Sequence, residues 1–442
     1  MPAPSRKDAD LARRVADWAV ALDPSDIPEA VIDHAKLCIL DGLGTALAGL
    51  QKDHAQITLR AIQGLAGRGA HPVIGTDLAL ASRDAALANG YLVHALDFDD
   101  THSAAVTHTT ASALPIMLAA GLDAGATGRD ALAAFVVAAE VSARLGAAAR
   151  GRFHERGFHP TAVAGTFGAT VAAGRLAGLA PAQIAEAQGT VLSMAGGSFA
   201  FLENGAWTKR LHPGWACVAA LTAVALAREG FKGAARPYDG RFGLYTLYAS
   251  DGARIDPEES FASLGQGWEV PNVAFKPIPA CHLVHAFSDA ALALRAAHDL
   301  RPADIARIEA RAARGIQPIV CDPIAEKRRP RSDYDAQFSL PYVVAASLAR
   351  GRFTLDELEP AALADPDILA LCDRVTCVDD PDSAYPQAYS GMLRIELADG
   401  RVLEHRQQVH RGAAENPIAR TDLEAKFHAN AGRALGRAAA WA

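Results

Sequence analysis

From about residue 8 to residue 265, apolar side chains recur every three or four positions, the spacing of helices that bury one face. Leu11-Val15-Trp18-Ala19 and Val31-Ala35-Cys38-Ile39 are two such stripes. The segments Ala131–Ala149, Thr161–Leu179 and Trp215–Glu229 are rich in alanine and poor in β-branched runs, which favours helix over strand. Ala164, Gly168 and Ala172 set small residues four apart, a face that lets a second helix pack closely. Beyond Gly265 the pattern changes. Ile308-Glu309-Ala310-Arg311-Ala312 alternates like a half-buried strand, and Met392–Leu397, Asp399-Gly400 and Arg401-Val402-Leu403 predict a β-hairpin with its turn. Helices are predicted near Phe338–Ala349 and Leu355–Ala364, and Thr421-Asp422-Leu423-Glu424 matches a capping box opening a last helix. The fold class read from this pattern is mainly α. A large all-helical domain takes both chain ends, residues 1–266 and 412–442, and a smaller α+β domain is inserted at 267–411.

Composition narrows the function classes. With 442 residues, half of them hydrophobic and 21% charged, the chain has the make-up of a globular protein with room for a large core. Its net charge of −7 and pI of about 6.1 give no electrostatic support to a nucleic-acid partner, so any bound anion must be held by a local basic pocket. The amino terminus lacks the apolar stretch of a secretory signal. The longer apolar stretches read as broken by charge or proline before about 18–20 residues, short of a membrane span. Cys38, Cys217, Cys281, Cys321, Cys372 and Cys377 are scattered without a C-x-x-C pair, which argues against a zinc or iron–sulfur centre. The expectation is a cytoplasmic protein with reduced thiols and no membrane partner.

The densest group of titratable side chains is His94-Ala95-Leu96-Asp97-Phe98-Asp99-Asp100-Thr101-His102, followed by His108. Asp97–Thr101 satisfies the D-x-D-x-T pattern of a phosphatase-type nucleophile, but that motif needs an apolar strand before it, and Asp84–Leu96 is helical in character. Carboxylates and imidazoles are also metal ligands, although this spacing fits no standard metal motif. The third reading is a metal-free acid/base site in which carboxylates orient and polarise imidazoles. The fourth is a helix cap with a solvated loop.

Other segments favour the acid/base reading. His159 precedes Pro160 at the head of a helical run, a position rich in backbone N–H groups. Leu211-His212-Pro213-Gly214 repeats that grammar before a helix expected near Trp215. Two helix starts of this kind attract anions and disfavour protonated imidazoles. Lys209, Arg210 and His212 form a basic group after the glycine-bearing run Gly196-Gly197-Ser198 and Asn204-Gly205. Lys276 stands in the proline-stiffened crossover Phe275–His282, at the seam between the two textures, where a lysine suits an anionic substrate. Lys327-Arg328-Arg329-Pro330-Arg331 reads as a solvated loop.

Together these segments resemble the MmgE/PrpD family, which includes 2-methylcitrate dehydratases, cis-aconitate decarboxylases and an iminodisuccinate epimerase. The matching residues are Asn89-Gly90 leading to His94–Thr101, Gly157-Phe158-His159-Pro160-Thr161, Lys209–Gly214, Lys276 with Pro279, Cys281 and His285, and Phe338-Ser339-Leu340. They occur in family order over nearly the whole chain. The resemblance implies that the α+β domain is a lid, with the active site in the cleft beside it. It also implies a homodimer without metal or organic cofactor, acting on a small anionic polycarboxylate. By motif position it carries over Asp97, Thr101, His108, His159, Lys209 and Lys276 as site residues, with Arg210, His212, His102 and Cys281 on the substrate side. The chain departs from the decarboxylase branch in three places. One extra residue separates Thr101 from His108, Cys281 stands where the animal enzyme has histidine, and no tyrosine occurs around Ile324. The reaction expected is removal of a proton, or of CO₂, beside a carboxylate. Lysines would stabilise the developing charge, while His108 or His159 would act as base or acid. Dehydration of 2-methylcitrate or a related hydroxy acid is the leading expectation, ahead of decarboxylation or epimerisation, and a non-catalytic helical scaffold is the remote one.

Overall fold

The alanine-rich segments fold as helices because alanine gives up no side-chain entropy there and leaves room for neighbours. The first ten α-helices of the described residues are α1 (Leu11–Ala21), α2 (Glu29–Gly49), α3 (Asp53–Leu65), α4 (Ser82–Val93), α5 (Thr109–Ala124), α6 (Gly128–Ala148), α7 (Arg152–Glu155), α8 (Pro160–Leu176), α9 (Pro181–Val191) and α10 (Thr208–Arg228). The computed structural model describes residues 10–249, 255–385 and 388–436. Residues up to Ala274 and from Ala419 onward form one unit, and Phe275–Ile418 form a second.

In the first unit α8 packs against α6 and α10, and α10 against α4. Glycines set these crossings. A Cβ on Gly168 would lie 2.3 Å from the Ala138 carbonyl oxygen, and one on Gly90 would lie 2.5 Å from the Gly214 Cα. The small-residue stripe on α8 is therefore a packing face. Two short ribbons accompany the helices: β1 (Arg68–Pro72) with β2 (Ala79–Leu80), and β3 (Thr101–His102) with β4 (Val273–Ala274), both antiparallel. The second ribbon carries the chain as far as Ala274 into this unit, beyond the expected boundary at residue 266. The carboxyl-terminal helix Arg420–Leu435 packs on α2.

Several expectations need correction. α6 and α10 are each 21 residues long and apolar enough to span a bilayer by length and composition, so the apolar runs are not all short. Both are packed helices of this unit, and the buried stretch of α6 holds Glu140 and Arg144 as an internal pair. α10 begins at Thr208 rather than near Trp215, which places His212 and Pro213 inside it. The last helix is capped at Ala419, so Thr421 lies within its first turn and makes no capping box.

The second unit is built on a four-stranded sheet in the order β6-β5-β7-β8. Here β5 is Ile305–Ala312, β6 is Val375–Asp379, β7 is Gly391–Leu397 and β8 is Val402–Gln407. β6 runs parallel to β5, and β7 and β8 form the antiparallel hairpin. Its turn uses Gly400 at φ 87°, a left-handed conformation that glycine adopts without a Cβ clash. Helices His285–His298 and Leu340–Arg350 lie against one another. The helix expected at Leu355–Ala364 is two short pieces, Leu355–Leu358 and Pro360–Leu363, because Pro360 lacks the N–H that would continue the first. The 327–331 run is solvated only in part, with Arg329 and Arg331 exposed. Lys327 Nζ donates to the carbonyls of Ile319 and Phe338 at 2.7 and 2.8 Å, and Arg328 Nε donates to that of Val375 at 3.2 Å.

Candidate active site

The site of the first unit begins where α4 ends. His94 caps that helix, and Asp97 at φ 49° turns the chain through the left-handed region, which aspartate tolerates better than most residues. The fully buried His94 donates through Nδ1 to Asp99, 2.8 Å away. Asp99 also lies 3.7 Å from His108 Nδ1. His108 is itself a helix start, the N-cap of α5. Its Nδ1 stands 2.7 Å from the Asp100 carbonyl, so that nitrogen carries the proton, and Nε2 holds the lone pair of the neutral ring. That Nε2 is 3.7 Å from Asp97, and the Thr101 hydroxyl is 3.3 Å from Nδ1. Between Thr101 and His108 the chain makes a tight turn. The backbone of His102 pairs with that of Thr107, and Val106 sits at φ 54°, a strained conformation for a β-branched residue.

The second wall is the start of α8. His159 occupies the N-cap with Pro160 at the first helical position, as the sequence predicts. The Thr161 hydroxyl accepts from the backbone N–H of His108 at 2.9 Å, which joins the two helix starts. His159 N–H donates to the Gly197 carbonyl at 2.8 Å, and its Nδ1 faces His212 Nδ1 at 3.0 Å. Gly197 makes that approach feasible, since a Cβ there would sit 2.6 Å from Ala162 and 3.0 Å from His212 Nδ1. Burial pushes His159 well below the usual histidine range, and Lys209 and the neighbouring imidazoles add to it. Burial, then His94 and Lys209, likewise lowers His212 to about 4. Both rings are thus neutral near neutral pH.

The third wall is the first turn of α10. Lys209 Nζ donates to Asp97 Oδ2 at 2.7 Å, with both side chains buried. Arg210 follows it, also buried. Beneath the loop, burial raises the Asp100 carboxyl to about 7, countered by hydrogen bonds from the Thr110 hydroxyl and backbone N–H.

Asp97, Thr101, His108, His159, Lys209 and His212 are therefore brought to one place, although His212 arrives from inside a helix instead of from a helix start. His102 turns elsewhere. Its Nε2 meets Glu269 at 3.0 Å, a hydrogen bond that leads in holding that carboxyl at about 2. Lys276 and Cys281 belong to the second unit, where Lys276 is buried and the backbone N–H of Cys281 donates to the Gln337 carbonyl. The site also contains His94 and Asp99, to which the sequence alone assigns no separate role. Both stand in the motif, but spacing alone does not show which carboxylate meets which ring.

His94, His108 and His159 could hold a metal ion, as could His94, Asp97, Asp99 and His108. The charges present disfavour the second set. The Lys209 ammonium already lies 2.7 Å from Asp97, and Asp99 is engaged by His94. A divalent ion would have to compete with both.

Residues 13–255 match the MmgE/PrpD N-terminal domain, and residues 278–441 match the MmgE/PrpD C-terminal domain. The chain belongs to the MmgE/PrpD family. A cis-aconitate decarboxylase-like protein of Aspergillus oryzae is 29% identical over 96% of this chain and 91% of its own length. The cis-aconitate decarboxylase of Homo sapiens is 31% identical over 92% of this chain and 85% of its own length. A 2-methylcitrate dehydratase of Cupriavidus necator is 38% identical, but over 19% of each chain. These MmgE/PrpD relatives are enzymes. A mitochondrial 2-methylcitrate dehydratase of Yarrowia lipolytica also matches over 89% of this chain, at 26% identity, so the stronger full-length similarity is to the decarboxylases, which reverses the order expected from the sequence.

Proposed function

We propose that this protein is a lyase acting on a small polycarboxylate, and that its reaction is decarboxylation of cis-aconitate or a closely similar acid. The observation that carries the reading is the nest of three imidazoles closed by the Lys209–Asp97 pair. His108 is oriented by the Asp100 carbonyl so that the lone pair at Nε2 can take or return a proton, and His159 is held neutral beside it. Loss of CO₂ leaves an electron pair delocalised onto a neighbouring carboxylate, and the carbon then takes up a proton. Lys209 supplies positive charge for the first event and an imidazole supplies the proton for the second.

Dehydration of 2-methylcitrate is the second reading, supported by the Cupriavidus necator segment and by the same need for a carbanion beside a carboxylate. Incubating the purified protein with cis-aconitate, 2-methylcitrate, citrate and iminodisuccinate, followed by NMR of the products, separates the two. The expected result is CO₂ loss from cis-aconitate, unchanged after exhaustive EDTA treatment. Turnover of 2-methylcitrate alone would transfer the assignment, and activity lost to EDTA and restored by a metal would overturn the metal-free mechanism. We also propose a homodimer. Trp207, Leu211 and Trp215 expose apolar surface at four-residue spacing along one face at the start of α10.

A further inference from the structure

His94 has no part in the chemistry described so far, yet it is the most deeply buried of the three imidazoles. Its Nδ1 is committed to Asp99, with oxygens at 2.8 and 3.0 Å. Its Nε2 is buried and meets no hydrogen-bonding partner among the described residues. Leaving a polar ring atom in that condition costs stability unless something else supplies the partner. The surroundings indicate what that partner is. The His94 ring lies 4.6 Å from the His108 ring and 5.5 Å from the His159 ring, centre to centre. One ring nitrogen from each of the three lies within 4.8 Å of the others.

We propose that His94, held by Asp99, is a further catalytic residue, whose Nε2 binds one carboxylate oxygen of the substrate beside the rings of His108 and His159. The inference rests on the polycarboxylate-lyase reading and adds a named contact to it. Nε2–H donates to that oxygen while Asp99 holds the ring through Nδ1. That oxygen is where negative charge accumulates, whether the electron pair comes from a broken C–C bond or from an abstracted proton. The hydrogen bond therefore strengthens as the transition state forms. His94 keeps its proton throughout, so no bond to it is made or broken in the turnover.

The test compares His94→Gln, His94→Ala and Asp99→Asn with the wild type, using cis-aconitate and 2-methylcitrate, with circular dichroism as the check on folding. His94→Ala is expected to lower kcat by about a hundredfold with KM within about threefold of wild type, the signature of an interaction made mainly in the transition state. His94→Gln keeps an amide donor and is expected to recover part of that loss, while Asp99→Asn falls between. If His94→Ala does not fold, the glutamine and Asp99→Asn variants carry the comparison. Folded variants with wild-type kcat, or a loss confined to KM, would overturn the role assigned to His94. A wild type that turns over neither acid would instead overturn the lyase reading beneath it.

Discussion

His159 and His212 face each other through Nδ1 atoms 3.0 Å apart, so only one of that pair of nitrogens can carry a proton. The contact makes a doubly protonated arrangement unfavourable, and it has a consequence for stability. Both folded-state values lie below the unfolded histidine value of 6.5, with His212 at about 4. The unfolded chain then binds more protons between those limits. The stability these rings confer is present above about pH 6.5 and lost as pH falls through about 4. Asp100 acts in the opposite sense. Its carboxyl is raised to about 7, so its contribution is present at low pH and lost as pH rises through that value. Substituting one ring isolates its share. His212→Asn is expected to lose less stability than the wild type between pH 6.5 and 4.5, measured by denaturant unfolding at each pH. An identical pH slope for the two proteins would mean that His212 is not held neutral by the fold.

At the scale of elements, the start of α10 shows how tertiary packing overrides a local signal. His159-Pro160 and His212-Pro213 read alike, yet one opens a helix and the other lies in the sixth position of one. Pro213 cannot donate to the Lys209 carbonyl, a loss that would ordinarily end or kink the helix. What differs is the neighbour. Gly214 lies so close to α4 that an added Cβ would stand 2.3 Å from the Leu87 carbonyl oxygen, a crossing absent from the local sequence. Gly214→Ala should therefore cost on the order of 1–3 kcal/mol, read from the denaturation midpoint, with activity also reduced because α10 carries Lys209. A thermally unchanged variant would show that the crossing yields easily. The same distinction explains what the sequence disclosed. Helix spacing, the hairpin around Asp399-Gly400 and the His159 cap depend on neighbours in the chain and were legible. The pairing of Lys209 with Asp97 spans 112 positions and the choice of His94 as partner for Asp99 depends on how the loop turns at Asp97, so neither was.

On the scale of the whole molecule, the carboxyl-terminal helix returns to complete the first unit. Lys426 Nζ meets Asp41 at 2.7 Å and the Phe98 carbonyl at 2.8 Å, and it lies 3.8 Å from the centre of the Phe98 ring. Phe98 sits between Asp97 and Asp99, so this one side chain steadies the loop that places both. Lys426→Met keeps the stem and removes the charge, leaving the buried Asp41 without that ammonium. A loss on the order of 3 kcal/mol is expected, together with a fall in kcat, whereas Lys426→Arg should retain most of both. Equal stability of Lys426→Met and wild type in equilibrium unfolding would refute the anchoring role. The anchor also orders events in biosynthesis. Lys426 leaves the ribosome only after the second unit has been translated, so until then the loop holding Asp97 and Asp99 is without its brace. A chain halted before Lys426 carries the histidines without the clamp, and acquiring activity then marks a chain made through the helix Arg420–Leu435.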